Sequence, residues 1–283
     1  MPPTLSSWAR LESGGRRLVV NGDDFGLSSS INAAVIQAHR DGILTSASLM
    51  VNEPAADEAV ALARQHPGLG VGLHLALLCG HSALDADLIP GLVNDRREFS
   101  DHPVRVGLRY FARRSLREPL RREIAEQFER FRATGLTLDH VNGHLHLHLH
   151  PTVFAILMEN AARWGITHVR LTRDHFWFNA HLARGQWLYR GAHAVIFHLL
   201  SRRARPALRR RAIKHTSVVF GLLQHARVDE TYVTRLLSAL PPGDSELYSH
   251  PSQFRHELDA LVSPRVRALA RERHIQLIRY QDL

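Results

Sequence analysis

The sequence predicts an α/β fold, specifically a (β/α) barrel that is complete or distorted and carries an inserted loop region after strand three. Short β-rich runs alternate with helical patterns along the whole chain, which is typical of a parallel sheet covered by helices. No change in composition and no Ser/Gly-rich linker divides the 283 residues. Barrels of about 250 residues often form one domain. We therefore expect a single domain over residues 1–283, with residues 1–16 as a flexible extension; an open doubly wound sheet is the alternative.

The β-rich runs and the helix boundaries place the individual elements. Pro54, Pro119 and Pro151 each begin a helical pattern, and the last two patterns end near Gly135 and Gly165, as proline and glycine usually do. Residues 85–115 fit neither element and form the predicted insertion. Residues 175–214 form a second long connection, and both are candidate lids or partner surfaces. The predicted strands are 18–21, 45–51, 70–76, 137–141, 167–171, 216–220, 245–249 and 275–279.

Composition narrows the class of protein. The chain is 45% hydrophobic and 22% charged, which indicates an ordinary globular protein. Its one cysteine, Cys79, excludes an intramolecular disulfide and a cysteine-based zinc site. No apolar run reaches the roughly 18 residues of a membrane span, and the first residues lack the core of a signal peptide. We therefore expect a cytoplasmic location.

Basic residues exceed acidic ones, for a net charge of +9. Lys214 is the only lysine among 36 basic residues, so a lysine-containing phosphate loop is absent. Such a charge suits nucleic acid or anionic lipid. Runs such as Arg209-Arg210-Arg211 are not accompanied by any nucleic-acid-binding signature. We keep a nucleic-acid-binding module as a minor alternative and expect no nucleic-acid partner.

Polar residues gather at the carboxyl ends of several predicted strands. Asp23 and Asp24 follow strand one, His74 ends strand three, and His250 follows strand seven. Five histidines occur between residues 140 and 150, at or after strand four. In a parallel barrel these ends converge on the face that carries active sites. The sequence therefore predicts one pocket built from four distant segments.

The chemistry of these residues indicates a metal. Adjacent aspartates are costly to place together unless a cation holds one, although a helix N-cap before Ser28-Ser29-Ser30 is a simpler explanation of the pair. From His144 to His150 histidine alternates with leucine, which on a strand would place four imidazoles on one face. Two histidines and a carboxylate form a known metal shell. We expect at least one histidine of this run to be a metal ligand. The others would hydrogen-bond to the ligands or contact the substrate.

The blocks VNGDDFGLSSSIN, DGILTSASLMVN, GVGLHL, DHVNGHLHLHLHPTV and ELYSHPS resemble those of the YdjC-like carbohydrate deacetylases. The resemblance implies a (β/α) barrel with one divalent ion, Zn²⁺ or Mg²⁺, bound by Asp24, His74 and His144. It also implies Asp23 as general base and His250 as the acid or oxyanion-side partner. We expect Asn142, His146 and Arg170 to contact substrate. Asn142-Gly143 and His250-Pro251-Ser252 depart from the usual Asp-Ser and His-Pro-Gly, which bears on substrate contacts and loop shape.

The fourth and fifth blocks more closely resemble the hopanoid-associated branch of that family. The implied reaction is hydrolysis of the N-acetyl group of an N-acetylglucosaminyl hopanoid lipid. Segments 104–122 and 187–211 mix apolar residues with arginines, so we expect peripheral contact with an anionic membrane surface at its cytoplasmic face. The main alternative is a metal-dependent phosphoesterase, in which Arg170 and Arg173 would clamp phosphate. The sequence leaves the oligomeric state open.

Overall fold

A parallel β-sheet forms the centre of the protein in a computed structural model that describes residues 15–183, 185–224 and 227–283. Its order is β4-β3-β2-β1-β6-β5, and β7 pairs with the beginning of β1. All pairs are parallel, so the carboxyl ends of these strands lie on one side. The strands are β1 (Arg16–Phe25), β2 (Ser46–Leu49), β3 (Gly70–Leu75), β4 (Leu138–Gly143), β5 (Val218–Phe220), β6 (Gly243–Ser249) and β7 (Ile275–Leu277).

The segment 167–173 links the two edges of this sheet. The Val141 N–H donates to the His168 carbonyl at 2.9 Å, and the Val169 N–H donates to the Lys214 carbonyl at 3.0 Å. The segment forms only isolated bridges, so the continuous strand predicted at 167–171 is wrong. The sheet is therefore curled into a distorted (β/α) barrel, which confirms the predicted fold class.

The helices lie between the strands. They are α1 (Ser29–Asp41), α2 (Ala56–Gln65), α3 (Pro103–Ala112), α4 (Arg117–Ala133), α5 (Pro151–Asn160), α6 (Phe176–Leu182), α7 (Trp187–Arg210), α8 (Glu230–Ala239), α9 (Arg255–Val262) and α10 (Pro264–Glu272). The prolines of α3, α5 and α10 lie in the first turn, where the missing N–H has no cost. The regular helix α5 ends at Asn160, but helical bonding continues to the predicted end at Gly165. The Gly165 N–H donates to the Ala162 carbonyl and the Ile166 N–H to the Ala161 carbonyl, with Gly165 at a positive φ of 66°.

The predicted insertion after β3 contains a helix that the sequence pattern did not indicate. Residues 76–102 form loops with two antiparallel bridges, His81 to Glu98 and Val93 to Phe99, and α3 follows them. In α3 Val106 and Tyr110 are buried while Val104, Leu108 and Phe111 are exposed. Apolar residues on both sides of so short a helix obscure its period. Residues 1–14 of the predicted N-terminal extension lie outside the described residues, whereas Arg16 already belongs to β1.

The apolar core packs the helices against the outside of the sheet. It includes Leu18 and Val20 of β1, Val35 of α1 and Leu73 of β3, all fully buried. The inside of the sheet is instead lined by polar side chains. Among the described residues, no helix has the length and apolar character needed to cross a membrane.

Candidate active site

An irregularity at the end of β1 brings both aspartates to the site. The register of β1 against β2 shifts between Gly22 and Phe25, and Asp24 has a positive φ of 65°. In a regular strand neighbouring side chains point to opposite faces, and a bulge redirects one of them. Both carboxylates are buried and reach the same polar cluster. The helix cap is provided by Ser28, whose hydroxyl accepts from the Ile31 N–H, so the aspartates are free for another role.

The first half of the site is a candidate metal cluster. Asp24, His74 and His144 each offer one ligand atom, and the three atoms lie within 4.8 Å of one another. Asp24 Oδ1 is 3.2 Å from His74 Nε2 and 2.9 Å from His144 Nδ1. The structure thus brings together the three residues that the resemblance implied as ligands.

The orientation of His74 suits a cation. The Asn142 side chain donates through Nδ2 to Asp23 Oδ1 at 3.3 Å, so its Oδ1 accepts from His74 Nδ1 at 2.7 Å. In a neutral imidazole the other nitrogen, Nε2, then carries a lone pair, and this nitrogen faces the Asp24 carboxylate. Two acceptors so placed need a positive charge between them. These donors fit either Zn²⁺ or Mg²⁺, because imidazole favours zinc and carboxylate favours magnesium.

Two residues contact the second oxygen of Asp24. The Gln253 amide donates to Asp24 Oδ2 at 2.8 Å, and His250 Nε2 lies 4.0 Å from the same oxygen. The His250 ring is partly exposed, and its backbone N–H donates to Glu257 at 2.6 Å. Gln253 was not among the predicted residues. The sequence feature that could have indicated Gln253 is its position three residues after His250, in the loop that follows β6.

The second half of the site is built around Asp23 and Arg170. The fully buried Arg170 guanidinium donates to both oxygens of Asp23, at 2.7 and 2.8 Å. It also donates through Nε and Nη2 to Glu246 Oε1, at 2.9 and 2.7 Å. These contacts enclose the guanidinium between two carboxylates. Substrate contact by Arg170 therefore stays a prediction, and the arrangement weakens its alternative use as a phosphate clamp.

Different neighbouring groups lower the pKa values of the two aspartates. Burial by itself raises the pKa of Asp23, but the Arg170 charge outweighs it and holds the pKa well below its usual range. Burial acts the same way on Asp24, where the neighbouring His144 and His74 rings lower the pKa instead. Both groups are therefore carboxylate anions at neutral pH.

The histidine run does not place four imidazoles on one face, so that expectation is wrong. Residues His144–Leu149 form a 3₁₀ turn in which Leu145 and His146 have left-handed backbone angles. The turn separates the rings: His144 reaches Asp24, while His148 Nε2 donates to the Arg170 carbonyl at 2.9 Å. Burial lowers the pKa of His148 to about 3, so its ring is neutral.

His146 and Asn142 are the two other predicted substrate contacts. The His146 ring packs edge-on against Phe197 and Tyr248, with centroids 5.3 and 5.4 Å away. Its buried Nδ1 has no hydrogen-bond partner among the described residues, and an unpaired polar atom beside the site is a group that a ligand could satisfy. Asn142 is fully buried and orients His74. Substrate contact by either residue stays a prediction.

Below the aspartates lies a polar network that the sequence did not reveal. The Ser48 hydroxyl contacts Asp23 at 3.2 Å and His140 Nε2 at 3.0 Å, and His140 Nδ1 donates to Asp139 at 2.9 Å. A Cβ at Gly72 would lie 2.5 Å from the His140 ring, so glycine is required there. The sequence features that could have indicated this polar interior are Gly70 and Gly72 before His74, and Ser46 and Ser48 in β2.

Known proteins resemble this chain in sequence. The family described as "YdjC-like protein" matches residues 17–272, about nine tenths of the chain. The chain belongs to the YdjC-like family. A protein named carbohydrate deacetylase from Geobacillus stearothermophilus is 43% identical over 162 residues, which is 56% of this chain and 62% of that one. The Vibrio cholerae El Tor protein of the same name is 36% identical over 152 residues, 53% and 57% of the two chains. The matches thus span less than two thirds of these relatives.

Solved structures share the fold. A candidate cellobiose-phosphate cleavage protein from Enterococcus faecalis V583 superposes with a TM-score of 0.72 at 20% sequence identity. The match covers 95% of this chain and 98% of that one. At this identity the likeness describes the fold, and it extends over almost the whole YdjC-like chain.

Proposed function

We propose that this YdjC-like protein is a metal-dependent carbohydrate N-deacetylase. The observation that carries the proposal is the Asp24, His74 and His144 cluster with the separate carboxylate of Asp23 beside it. Relatives over more than half of the chain bear the name carbohydrate deacetylase. Bound by the three ligands, a divalent ion would supply Lewis-acid polarisation of the acetyl carbonyl.

The chain's own residues would divide the remaining work. Asp23 would accept the proton of the attacking water, and Arg170 would hold that carboxylate in place from behind. His250, partly exposed at the mouth of the site, would protonate the departing amine. No covalent intermediate is needed, since water attacks the amide directly.

The second part of the proposal concerns the substrate, for which we propose an N-acetylglucosamine unit attached to a hopanoid lipid. Its support is the resemblance of residues 139–153 and 240–252 to the hopanoid-associated branch. The edge-on packing of His146 against Phe197 and Tyr248 adds an apolar wall beside the polar cluster. Such a wall suits a ligand with a sugar head and an apolar remainder.

Mass spectrometry tests the proposal directly. The purified protein, supplied with Zn²⁺ or Mg²⁺, is incubated with N-acetylglucosaminyl bacteriohopanetetrol and separately with free N-acetylglucosamine oligomers. Loss of one acetyl group from the lipid alone supports the hopanoid-linked substrate. Loss from the free sugars alone supports only a carbohydrate N-deacetylase. Release of phosphate from phosphoesters with no acetate from either substrate would contradict both.

A further inference from the structure

Exposed apolar side chains surround the mouth of the site. Leu145 is exposed in the turn that follows His144, and two helices flank this turn. Helix α3 touches its far end, because His150 Nε2 donates to the Gly107 carbonyl at 3.0 Å. Helix α7 touches its middle through the Phe197 and His146 rings. The exposed apolar residues of this region, named the apolar rim, are Val104, Leu108, Phe111, Leu145, Leu188, Val195, Ile196 and Leu199.

The rim residues form continuous faces rather than isolated contacts. Val104, Leu108 and Phe111 are spaced by four and three residues, so they share one face of α3. Leu188, Val195 and Leu199 share one face of α7 by the same rule. Leu188 is 91% exposed and Val104 is 75% exposed. Large apolar groups gathered in this way mark a site of interaction.

The two helical segments that carry most of the rim contain arginines and no acidic residue. No acidic residue occurs between Asp101 and Glu118, the stretch that contains α3, or between Asp174 and Asp229, the stretch that contains α7. Arg202 and Arg203 are exposed about one turn beyond Leu199. Arg113 and Arg114 are exposed directly after α3. The partner of the rim must therefore offer an apolar layer next to negative charge.

We propose that the apolar rim binds the surface of an anionic phospholipid bilayer. Apolar side chains then enter the boundary between head groups and acyl chains, and the arginines meet lipid phosphates. A symmetric contact with a second copy would place two arginine-rich surfaces without acids against each other, which like-charge repulsion opposes. The same orientation would bring the turn that carries His144 next to the membrane, since Leu145 of this turn belongs to the rim.

This surface differs in detail from the one predicted from sequence. Tyr110, Leu116 and Phe197 are buried and contribute to the core. Arg211 donates to the Met158 carbonyl near the end of α5, which places the 209–211 run at the other end of α7 from the rim. The arginines to test are consequently Arg202 and Arg203.

Vesicle sedimentation tests the apolar part. The whole protein is mixed with vesicles of phosphatidylcholine alone or of phosphatidylcholine with phosphatidylglycerol, and it should pellet with the second kind only, less so at high salt. Leu188→Ser with Leu199→Ser should weaken partitioning more than about tenfold, given the apolar area lost. The matched control is Leu277→Ser, since Leu277 is exposed on β7, which pairs with the opposite end of β1. Unchanged melting temperatures verify that the exposed substitutions leave the fold intact.

A charge test accompanies it. Arg202→Gln with Arg203→Gln should weaken partitioning about thirtyfold, because each arginine near an anionic surface contributes about a factor of five. Arg271→Gln with Arg273→Gln removes the same charge from the end of α10 and should have little effect. Absent pelleting of the wild type, or equal pelleting of rim and control variants, would overturn the proposal. So would light scattering that shows an oligomer dispersed by the rim substitutions. Binding is measured without substrate, so its outcome is independent of the proposed deacetylation.

Discussion

Asp23 and Asp24 are adjacent in sequence but are neutralised in different ways. Asp23 has its counter-charge inside the chain, since both of its oxygens accept from Arg170. In the described part of the chain no guanidinium contacts Asp24, which faces two imidazoles and the neutral Gln253 amide. One aspartate is thus already compensated, and the other is arranged around a space that a cation would fill.

The charges of the whole cluster make the same distinction. The Asp23 and Glu246 carboxylates contact the Arg170 guanidinium, and the Asp24 carboxylate beside them contacts imidazoles and an amide. With neutral imidazoles their sum is minus two, and uncompensated buried charge is strongly unfavourable. A divalent ion at Asp24 would remove this excess. Arg170 thus serves the Asp23 half of the site, and the proposed metal ion would serve the Asp24 half.

The largest expected effect comes from removing a ligand on the Asp24 side. His144→Ala and Asp24→Asn should each lose bound metal and all measurable acetate release, because two remaining ligands hold the ion poorly. Metal content by mass spectrometry after desalting checks this. Full occupancy in His144→Ala would assign the ligand to another residue of the run, with His146 as the next candidate.

A smaller loss is expected on the Asp23 side. Asp23→Asn should keep the metal and the fold while the rate falls about 10²- to 10⁴-fold, since only the proton acceptor is removed. Steady-state rates and metal content are measured on the same preparation. Should Asp23→Asn lose the ion while Asp24→Asn retains it, the two roles are reversed.

Removing Arg170, the counter-charge of Asp23 and Glu246, should lower the stability of the fold. Arg170→Met leaves two buried carboxylates unpaired, so the free energy of unfolding should fall by about 3–5 kcal/mol. Urea unfolding of the metal-free protein measures it. The exposed substitution Arg202→Gln is the control and should change little. Adding Asp23→Asn to Arg170→Met should cost less than the sum of the two, because the residues share one interaction.

The smallest effect concerns the orientation of Asp24. Gln253→Leu removes the donor to Asp24 Oδ2 and should weaken metal affinity about 10- to 100-fold without abolishing binding. Competition with a metal chelator measures the change. Gln276→Leu, an exposed position on β7, serves as the control. Equal affinities of the two variants would show that Gln253 does not position the carboxylate.

Much of the fold was predictable because its signals are local. Buried β-rich runs gave seven of the eight predicted strands, and proline with glycine marked the beginning and end of α4 within about two residues. The eighth run, at 167–171, failed as a strand because its partners bond it only at isolated positions. Helix α3 was missed because its apolar residues divide between the core and the rim.

The sequence alone determined which residue types stand at the ends of the parallel strands, and this was enough to predict that Asp23, Asp24, His74, His144 and His250 lie in one cluster. That inference works because parallel strands share an edge whatever their detailed packing. Only the tertiary structure decided how these residues divide. The left-handed turn at Leu145 and His146 separates the histidines, and a segment 147 residues away along the chain supplies Arg170 to Asp23. Neither arrangement has a local signature, because each depends on contacts between segments that are distant in sequence.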